Sequence, residues 1–270
     1  MQITNNTVLN LVIGNPLTHT KSPYIHQYIY KYLGIDAILL ARSSNSLASL
    51  IAAIRALDVK LTAVTIPFKE EVIHYLDDYS QEVEAIGSCN TIIQNAESLY
   101  GYNTDFYGLT YAFRQTPIYQ KTALIIGAGG AARSAAYFLN EHKAKIYWLN
   151  RTIDKANKLA LLFGGEVVSA CLLNKLNIDV IINTTPIGLY PHHHATPLPN
   201  YHFNPDQIVF DMVYNPKATK LLRTAKKQQA ICISGVDMFI GQAIKQVMLW
   251  QNRALPVDEI YHLLRTKCKL

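Results

Sequence analysis

The chain has 270 residues, half of them hydrophobic and 16% charged, the balance of a globular protein rather than of a disordered or fibrous one. Its formal net charge of +6 comes from 25 basic residues scattered among 19 acidic ones, without a basic stripe interleaved with aromatics, so small anionic ligands are expected and nucleic acid is not. Four distant cysteines, Cys89, Cys171, Cys232 and Cys268, form no C-x-x-C pair, which argues against a zinc site or a disulfide framework and for a reducing cytoplasm.

Met1 to Thr7 is polar, and no segment approaches the ~20 apolar residues that cross a bilayer, so a soluble, unprocessed protein without membrane contact is expected. From Val8 onward, short apolar runs alternate with helical patterns. Val8 to Ile13, Ala37 to Ala41 and Thr62 to Ile66 predict strands, and Pro23 to Leu33 and Leu47 to Leu57 predict helices between them. Repeated β-α-β of this kind implies a mostly parallel sheet. After Thr62 to Ile66, the run Pro67-Phe68-Lys69-Glu70-Glu71 reads as the start of a helix with Pro67 in its first turn. A lysine at such a helix start meets a repulsive dipole, which favours loss of its proton and makes Lys69 a candidate acid or base. Thr91 to Gln94 and Leu99 to Tyr102, joined by Asn95-Ala96-Glu97-Ser98, predict an antiparallel pair that closes the first unit, with a boundary near Asn103.

A second alternating series runs through Thr122 to Gly127, Lys145 to Leu149, Val180 to Asn183, Ile208 to Asp211 and Ile231 to Ser234, the pattern of a doubly wound domain. Its first strand leads into Gly127-Ala128-Gly129-Gly130-Ala131-Ala132, a G-x-G-x-x-A loop that opens an amphipathic helix. Glycines there permit the tight turn and the approach of backbone to a pyrophosphate at the helix start. The next strand ends at Asn150-Arg151-Thr152. Roughly twenty residues past the loop, NAD-specific enzymes carry an acid for the ribose hydroxyl, and none stands here. Arg151 instead offers a planar fork to a 2′-phosphate, with Asn150, Thr152 and Lys155 as further donors, which favours NADP(H). After Gly235, Phe239, Ala243, Val247 and Trp250 mark one face of a helix, and a second helix follows from Val257 to about Lys267. Periodicity alone does not say which domain these two helices join.

Taken together, Gly14 to Pro23, Val64 to Lys69, Asn90-Thr91, Asn103-Thr104-Asp105, Gly127 to Ala132, Asn150-Arg151-Thr152, Asn183 to Gly188, Asp211 to Pro216 and Gln242-Ala243 resemble, in order and over nearly the whole chain, the motif set of shikimate dehydrogenases. The resemblance implies an α/β protein of two domains. A substrate-binding catalytic domain takes 1–103 with the returning helices 238–270, and a Rossmann NADP-binding domain takes 104–237. It implies an NADP-dependent oxidoreductase that reversibly reduces 3-dehydroshikimate to shikimate in aromatic amino-acid (chorismate) biosynthesis, as a cytoplasmic monomer or homodimer. By the same resemblance Lys69 and Asp105 are the catalytic pair, and Thr20 and Ser22, with Tyr214, hold the substrate carboxylate. Thr65, Asn90, Asp105 and Gln242 hold the ring hydroxyls, and Met212 and Gly235 line the nicotinamide end of a cofactor site completed by Gly127, Ala128, Gly129, Gly130 and Ala131.

Departures from the family pattern gather around the substrate positions: Thr20 for serine, Leu61-Thr62-Ala63 for a glycine-x-asparagine stretch, Ser88-Cys89 for Ala-Val, Phe106 for glycine, and Asp237 for a small or apolar residue. They keep a quinate-accepting enzyme or a shikimate dehydrogenase-like paralogue as the alternative, and a non-catalytic NADP-sensing module as a second. The NADP domain of glutamyl-tRNA reductase is disfavoured, because it requires an earlier nucleophilic cysteine and a tRNA-binding extension. Cys89 reads as a buried filler, His192-His193-His194 as a loop rather than a metal site, and His19 and His26 as structural.

Overall fold

A computed structural model describes residues 3–267, so Met1 and Cys268 lie outside the described residues. The chain forms two compact units, one of residues 3–107 with 240–267 and one of 108–239.

The first unit begins with β1 (Val8–Gly14), α1 (Ser22–Leu33), β2 (Ala37–Ser43), α2 (Leu47–Ala56) and β3 (Leu61–Val64). In α1, Pro23 occupies the first turn and Gly34 ends the helix with φ 67°, a left-handed conformation that costs glycine little. Ile25, Ile29 and Tyr30 form its buried stripe. Ser46 caps α2 by accepting the Ser49 N–H. The apolar run predicts Thr65 and Ile66 in the third strand, but β3 stops at Val64. Then come β4 (Asp78–Tyr79), α3 (Gln81–Ile86), β5 (Thr91–Asn95), β6 (Ser98–Tyr102) and α4 (Thr104–Phe113), of which the first four residues belong to this unit. The sheet order is β2-β1-β3-β5-β6-β4, with β5 antiparallel to both β3 and β6 and the other pairs parallel. One face packs Leu11, Ile13, Ile51, Ile54, Phe68, Val72, Ile92 and Leu99 into a core.

The second unit contains β7 (Thr122–Ile126), α5 (Gly130–Glu141), β8 (Lys145–Leu149), α6 (Ile153–Phe163), β9 (Glu166–Val167), β10 (Val180–Asn183), β11 (Ile208–Asp211), α7 (Lys220–Lys227) and β12 (Ile231–Ser234). Every pairing is parallel, in the order β12-β11-β10-β7-β8-β9. Renumbered within the unit this is 3-2-1-4-5-6 from the β9 edge, whose topological switch lies between β7 and β10, where doubly wound sheets bind ligands beyond their strand ends. The chain then enters α8 (Gly235–Gln251) and ends in α9 (Val257–Lys267). From Ile240 onward these helices belong to the first unit, and Trp250 of α8 meets Tyr30 of α1 edge to face at 5.6 Å. Among the described residues no helix is long and apolar enough to cross a membrane.

Candidate active site

In the first unit, the segment after β3 does not open a helix at Pro67, as its sequence suggests. Phe68 N–H bonds back to Thr65 O at 3.0 Å, closing a turn with a cis Ile66-Pro67 bond. A short 3₁₀ helix starts only at Glu71. Lys69 therefore sits in the turn, with its carbonyl accepting the Cys89 N–H at 2.8 Å. Lys69 thus meets no helix dipole, and what sets its surroundings is a charge partner.

That partner comes from α4. Asn103 caps this helix: its side-chain oxygen accepts the Phe106 N–H at 3.2 Å, while its amide donates to Ser88 O at 2.7 Å. Asp105 is thereby fixed in the first turn. Lys69 Nζ donates to Asp105 Oδ2 at 2.5 Å, and Asn90 Nδ2 donates to Asp105 Oδ1 at 2.9 Å, so each carboxylate oxygen has a donor. The two charged side chains are 15% and 7% exposed, dry enough that water screens their attraction little. Asn90 is itself held by the Thr104 N–H, which donates to its Oδ1 at 2.7 Å.

The same unit carries the other hydroxyl and amide candidates. Gly14 ends β1 where an added Cβ would stand 2.5 Å from Thr65 Cγ2, so glycine lets Thr65 close on the strand. Thr20 and Ser22 stand at the start of α1, with Thr20 Oγ1 donating to Ser22 Oγ at 3.3 Å and no side chain capping the helix. Gln242 is buried on α8. Cys89 is fully buried with Sγ on Thr91 O at 3.3 Å, and burial pushes its thiol up to about 12, so it carries no reactive thiolate. Tyr214 belongs to the second unit, where its ring stacks on Phe239 at 4.1 Å.

The second unit gathers the nucleotide candidates at the ends of its strands. Gly127 adopts φ 114°, and a Cβ there would collide with Thr184 Oγ1, so only glycine fits the turn out of β7. Gly129 precedes α5, no side chain caps that helix, and a Cβ on Gly129 would meet nothing within 4 Å. Ala128, Gly130 and Ala131 are half-buried around it. This is the form of an anion cradle, with backbone N–H groups of a helix start beside open space. Beyond β8, Asn150 Nδ2 donates to Thr152 O at 2.8 Å, and Arg151, Thr152 and Lys155 are exposed around the start of α6. At the end of β11, Gly235 lies so close to the chain that a Cβ would stand 2.5 Å from Met212 O, which brings Met212 and Gly235 together.

Asp211, just before Met212, accepts from Thr219 Oγ1 at 2.6 Å, Asn183 Nδ2 at 2.9 Å and the Val213 N–H at 3.1 Å. Burial lifts its carboxyl to about 6 against these bonds, which favour the charged form. It locks the ends of β10, β11 and α7 together rather than presenting itself to a ligand. Among the described residues no three His, Cys, Asp or Glu side chains gather as a metal site. His193 of the three-histidine loop stacks on Tyr190 at 4.6 Å. Thr91 and Thr104, which stand in the motif set without a predicted role, and Gln246, outside it, are buried and bonded behind Asn90. Thr91 meets Thr104 across 13 positions and Gln246 across 155, separations that no local spacing signals.

The profile of the shikimate dehydrogenase substrate binding domain matches residues 12–92, and that of shikimate / quinate 5-dehydrogenase matches residues 111–188. The shikimate dehydrogenase (NADP(+)) of Alkaliphilus oremlandii is 37% identical over 282 aligned positions, which cover 98% of this chain and 99% of that one. The crystal structure of shikimate dehydrogenase from Aquifex aeolicus superposes with a TM-score of 0.89 at 36% identity, covering 98% of this chain and 100% of its own. That of shikimate 5-dehydrogenase from Thermus thermophilus in complex with NADP(H) and shikimate has a TM-score of 0.85 at 30% identity, covering 96% and 99%.

Proposed function

The chain belongs to the shikimate dehydrogenase family, and from that premise we propose that it reversibly reduces 3-dehydroshikimate to shikimate with NADPH, a step of aromatic amino-acid (chorismate) biosynthesis in a reducing cytoplasm. The observation that carries the reading is the Lys69–Asp105 pair, a nearly dry ammonium and carboxylate at 2.5 Å with the Asn90 amide on the second carboxylate oxygen. Reduction of a ring ketone needs a proton at the oxygen as negative charge develops there. Lys69 has three N–H donors, of which Asp105 occupies one, so another is available to that oxygen. Asp105 holds the ammonium against rotation, and Asn90 holds Asp105. In the oxidative direction the neutral amine takes the proton back.

Short hydroxyl and amide side chains suit a polyol acid, because an analogue lacking a hydroxyl leaves a buried donor or acceptor unpaired. Thr20 and Ser22 are assigned to the carboxylate, and Thr65, Asn90, Asp105 and Gln242 to the ring hydroxyls. The second unit fits NADP(H): Gly129 leaves open space at the uncapped start of α5, where Gly127 to Ala131 would receive the pyrophosphate. Arg151, with Asn150, Thr152 and Lys155, would receive the 2′-phosphate, and Met212 and Gly235 would flank the nicotinamide. When bound, the cofactor supplies the hydride. The test follows NADPH formation with shikimate and, separately, with quinate. Turnover with shikimate at the higher kcat/KM supports the proposal; NADP+ binding without turnover of either acid overturns it.

A further inference from the structure

Behind Asp105 runs a chain of buried polar groups that the proton-transfer step does not itself use. Asn90, which holds the carboxylate, is 2.9 Å from Thr91 Oγ1, which donates to its Oδ1. Thr104 Oγ1 lies between them, accepting from Asn90 Nδ2 at 3.0 Å and standing 3.1 Å from Thr91 Oγ1. The Gln246 amide then bridges Thr91 Oγ1 at 3.0 Å and His26 Nε2 at 3.1 Å. His26 ends the chain with Nδ1 on Ser22 O at 2.9 Å. Gln246 Nε2 donates to Thr91 Oγ1, which leaves the Thr91 proton for Asn90 Oδ1 and sets Gln246 Oε1 beside His26 Nε2.

No member from His26 to Asp105 is more than 5% exposed. The partners are not neighbours in sequence: His26 and Gln246 are 220 positions apart, and Gln246 and Thr91 are 155. The chain therefore ties α1, α8, β5 and α4 to one another within the first unit. Leucine or valine would fill these positions without the cost of burying polar atoms, and in a dry interior each such atom must be paired or it destabilises the fold. What the polar choice adds is direction. A hydroxyl and an amide hold their neighbour at a set angle, and the neighbour here is the amide that orients Asp105. Ser22, whose carbonyl ends the chain, is also assigned to the substrate carboxylate, so the relay starts and finishes at the substrate.

We propose that His26, Gln246 and Thr91 are positioning residues for the Lys69–Asp105 pair, acting through Asn90 to hold the carboxylate, and with it the ammonium, in reacting orientation. The inference rests on the reading of Lys69 as the proton donor. Its test compares Thr91→Val, which keeps the shape and removes the hydroxyl, with Thr91→Ser, which restores it, and with Gln246→Met, each by steady-state shikimate oxidation at saturating NADP+. Misplacing a reacting group by about 1 Å costs on the order of 10²-fold, so a smaller shift suffices for tenfold. Thr91→Val and Gln246→Met are expected to lower kcat at least tenfold with KM for shikimate within threefold of wild type, and Thr91→Ser to return kcat to within threefold. A thermal melt confirms that each variant is folded.

Variants with reduced melting temperature and unchanged kcat would overturn the proposal, since the chain would then only hold the fold. So would a Thr91→Ser variant as slow as Thr91→Val, because methyl packing and not the hydroxyl would be responsible. Should Thr91→Val fail to fold, Gln246→Met alone decides by the same split between kcat and KM. Lys69→Met separates the two levels: if it turns over like wild type, the reading of Lys69 fails. If it is slow while Thr91→Val and Gln246→Met are fast, only the positioning role fails.

Discussion

Acid should act on the two units in opposite directions. His26 is fully buried, and burial pushes its ring from the ordinary 6.5 down to about 4, against bonds to Ser22 O and the Gln246 amide that favour the charged form. Between these values the unfolded chain binds a proton that the folded one refuses, so stability rises with pH across the window and is lost as pH falls from 6.5 towards 4. At ~1.4 kcal/mol per pH unit, and with the folded ring half protonated at the lower limit, the loss is about 3 kcal/mol. For Asp211 the sign reverses. Its carboxyl is raised from 3.8 to about 6, so its folded form takes up the proton first. That contribution to stability is present at low pH and is lost as pH rises through 3.8 to 6, which gives a gain of about 2 kcal/mol on going from pH 7 to pH 4.

The rest of the protein also titrates, so the quantity to measure is a difference. Urea unfolding of wild type and His26→Gln at pH 7 and pH 4 should show the advantage of wild type shrinking by about 3 kcal/mol in acid. With Asp211→Asn, the advantage of wild type should grow by about 2 kcal/mol. A difference between wild type and His26→Gln that does not change with pH would refute the reasoning for the ring. A change of opposite sign would mean that the folded protein carries an imidazolium that donates to both Ser22 O and Gln246 Oε1.

Arg151→Ala should raise the Kd for NADPH at least tenfold and leave that for NADH nearly unchanged, measured by fluorescence titration; equal effects on both would remove Arg151 from the phosphate site. Gly127→Ala should weaken binding of both cofactors, because its Cβ collides with Thr184 at a positive φ; wild-type affinity for both would show that the turn does not shape the site.

Much of this architecture is written in local pattern. The five principal strands of the second unit stand out as apolar runs, and the Gly127 loop falls between a strand and a helix as its glycines require. Shorter pieces left no such trace. β4 and β9 have two residues each, too few for alternation to show, and the 3₁₀ helix at Glu71–Tyr75 is a single short run. Lys69 shows how one local rule can mislead: proline before a charged run suggests a helix start, but Pro67 serves a turn, and the charge partner of Lys69 is Asp105 from another element. Periodicity gave α8 an apolar face and could not say what it covers, since that is decided by Tyr30 and His26 of α1 some 220 residues earlier. The same distance hid the Gln246 and Thr91 relay. A side chain whose partner lies at the far end of the chain carries no mark of it in its own neighbourhood.

Lys69 is the group proposed to move the proton. The most direct measurement is single-turnover reduction of 3-dehydroshikimate by Lys69→Ala, alongside the Kd of the variant for shikimate. The rate should fall by about 10² to 10⁴ with substrate affinity little changed, the range that general acid-base catalysis supplies. A variant within threefold of the wild-type rate would contradict it.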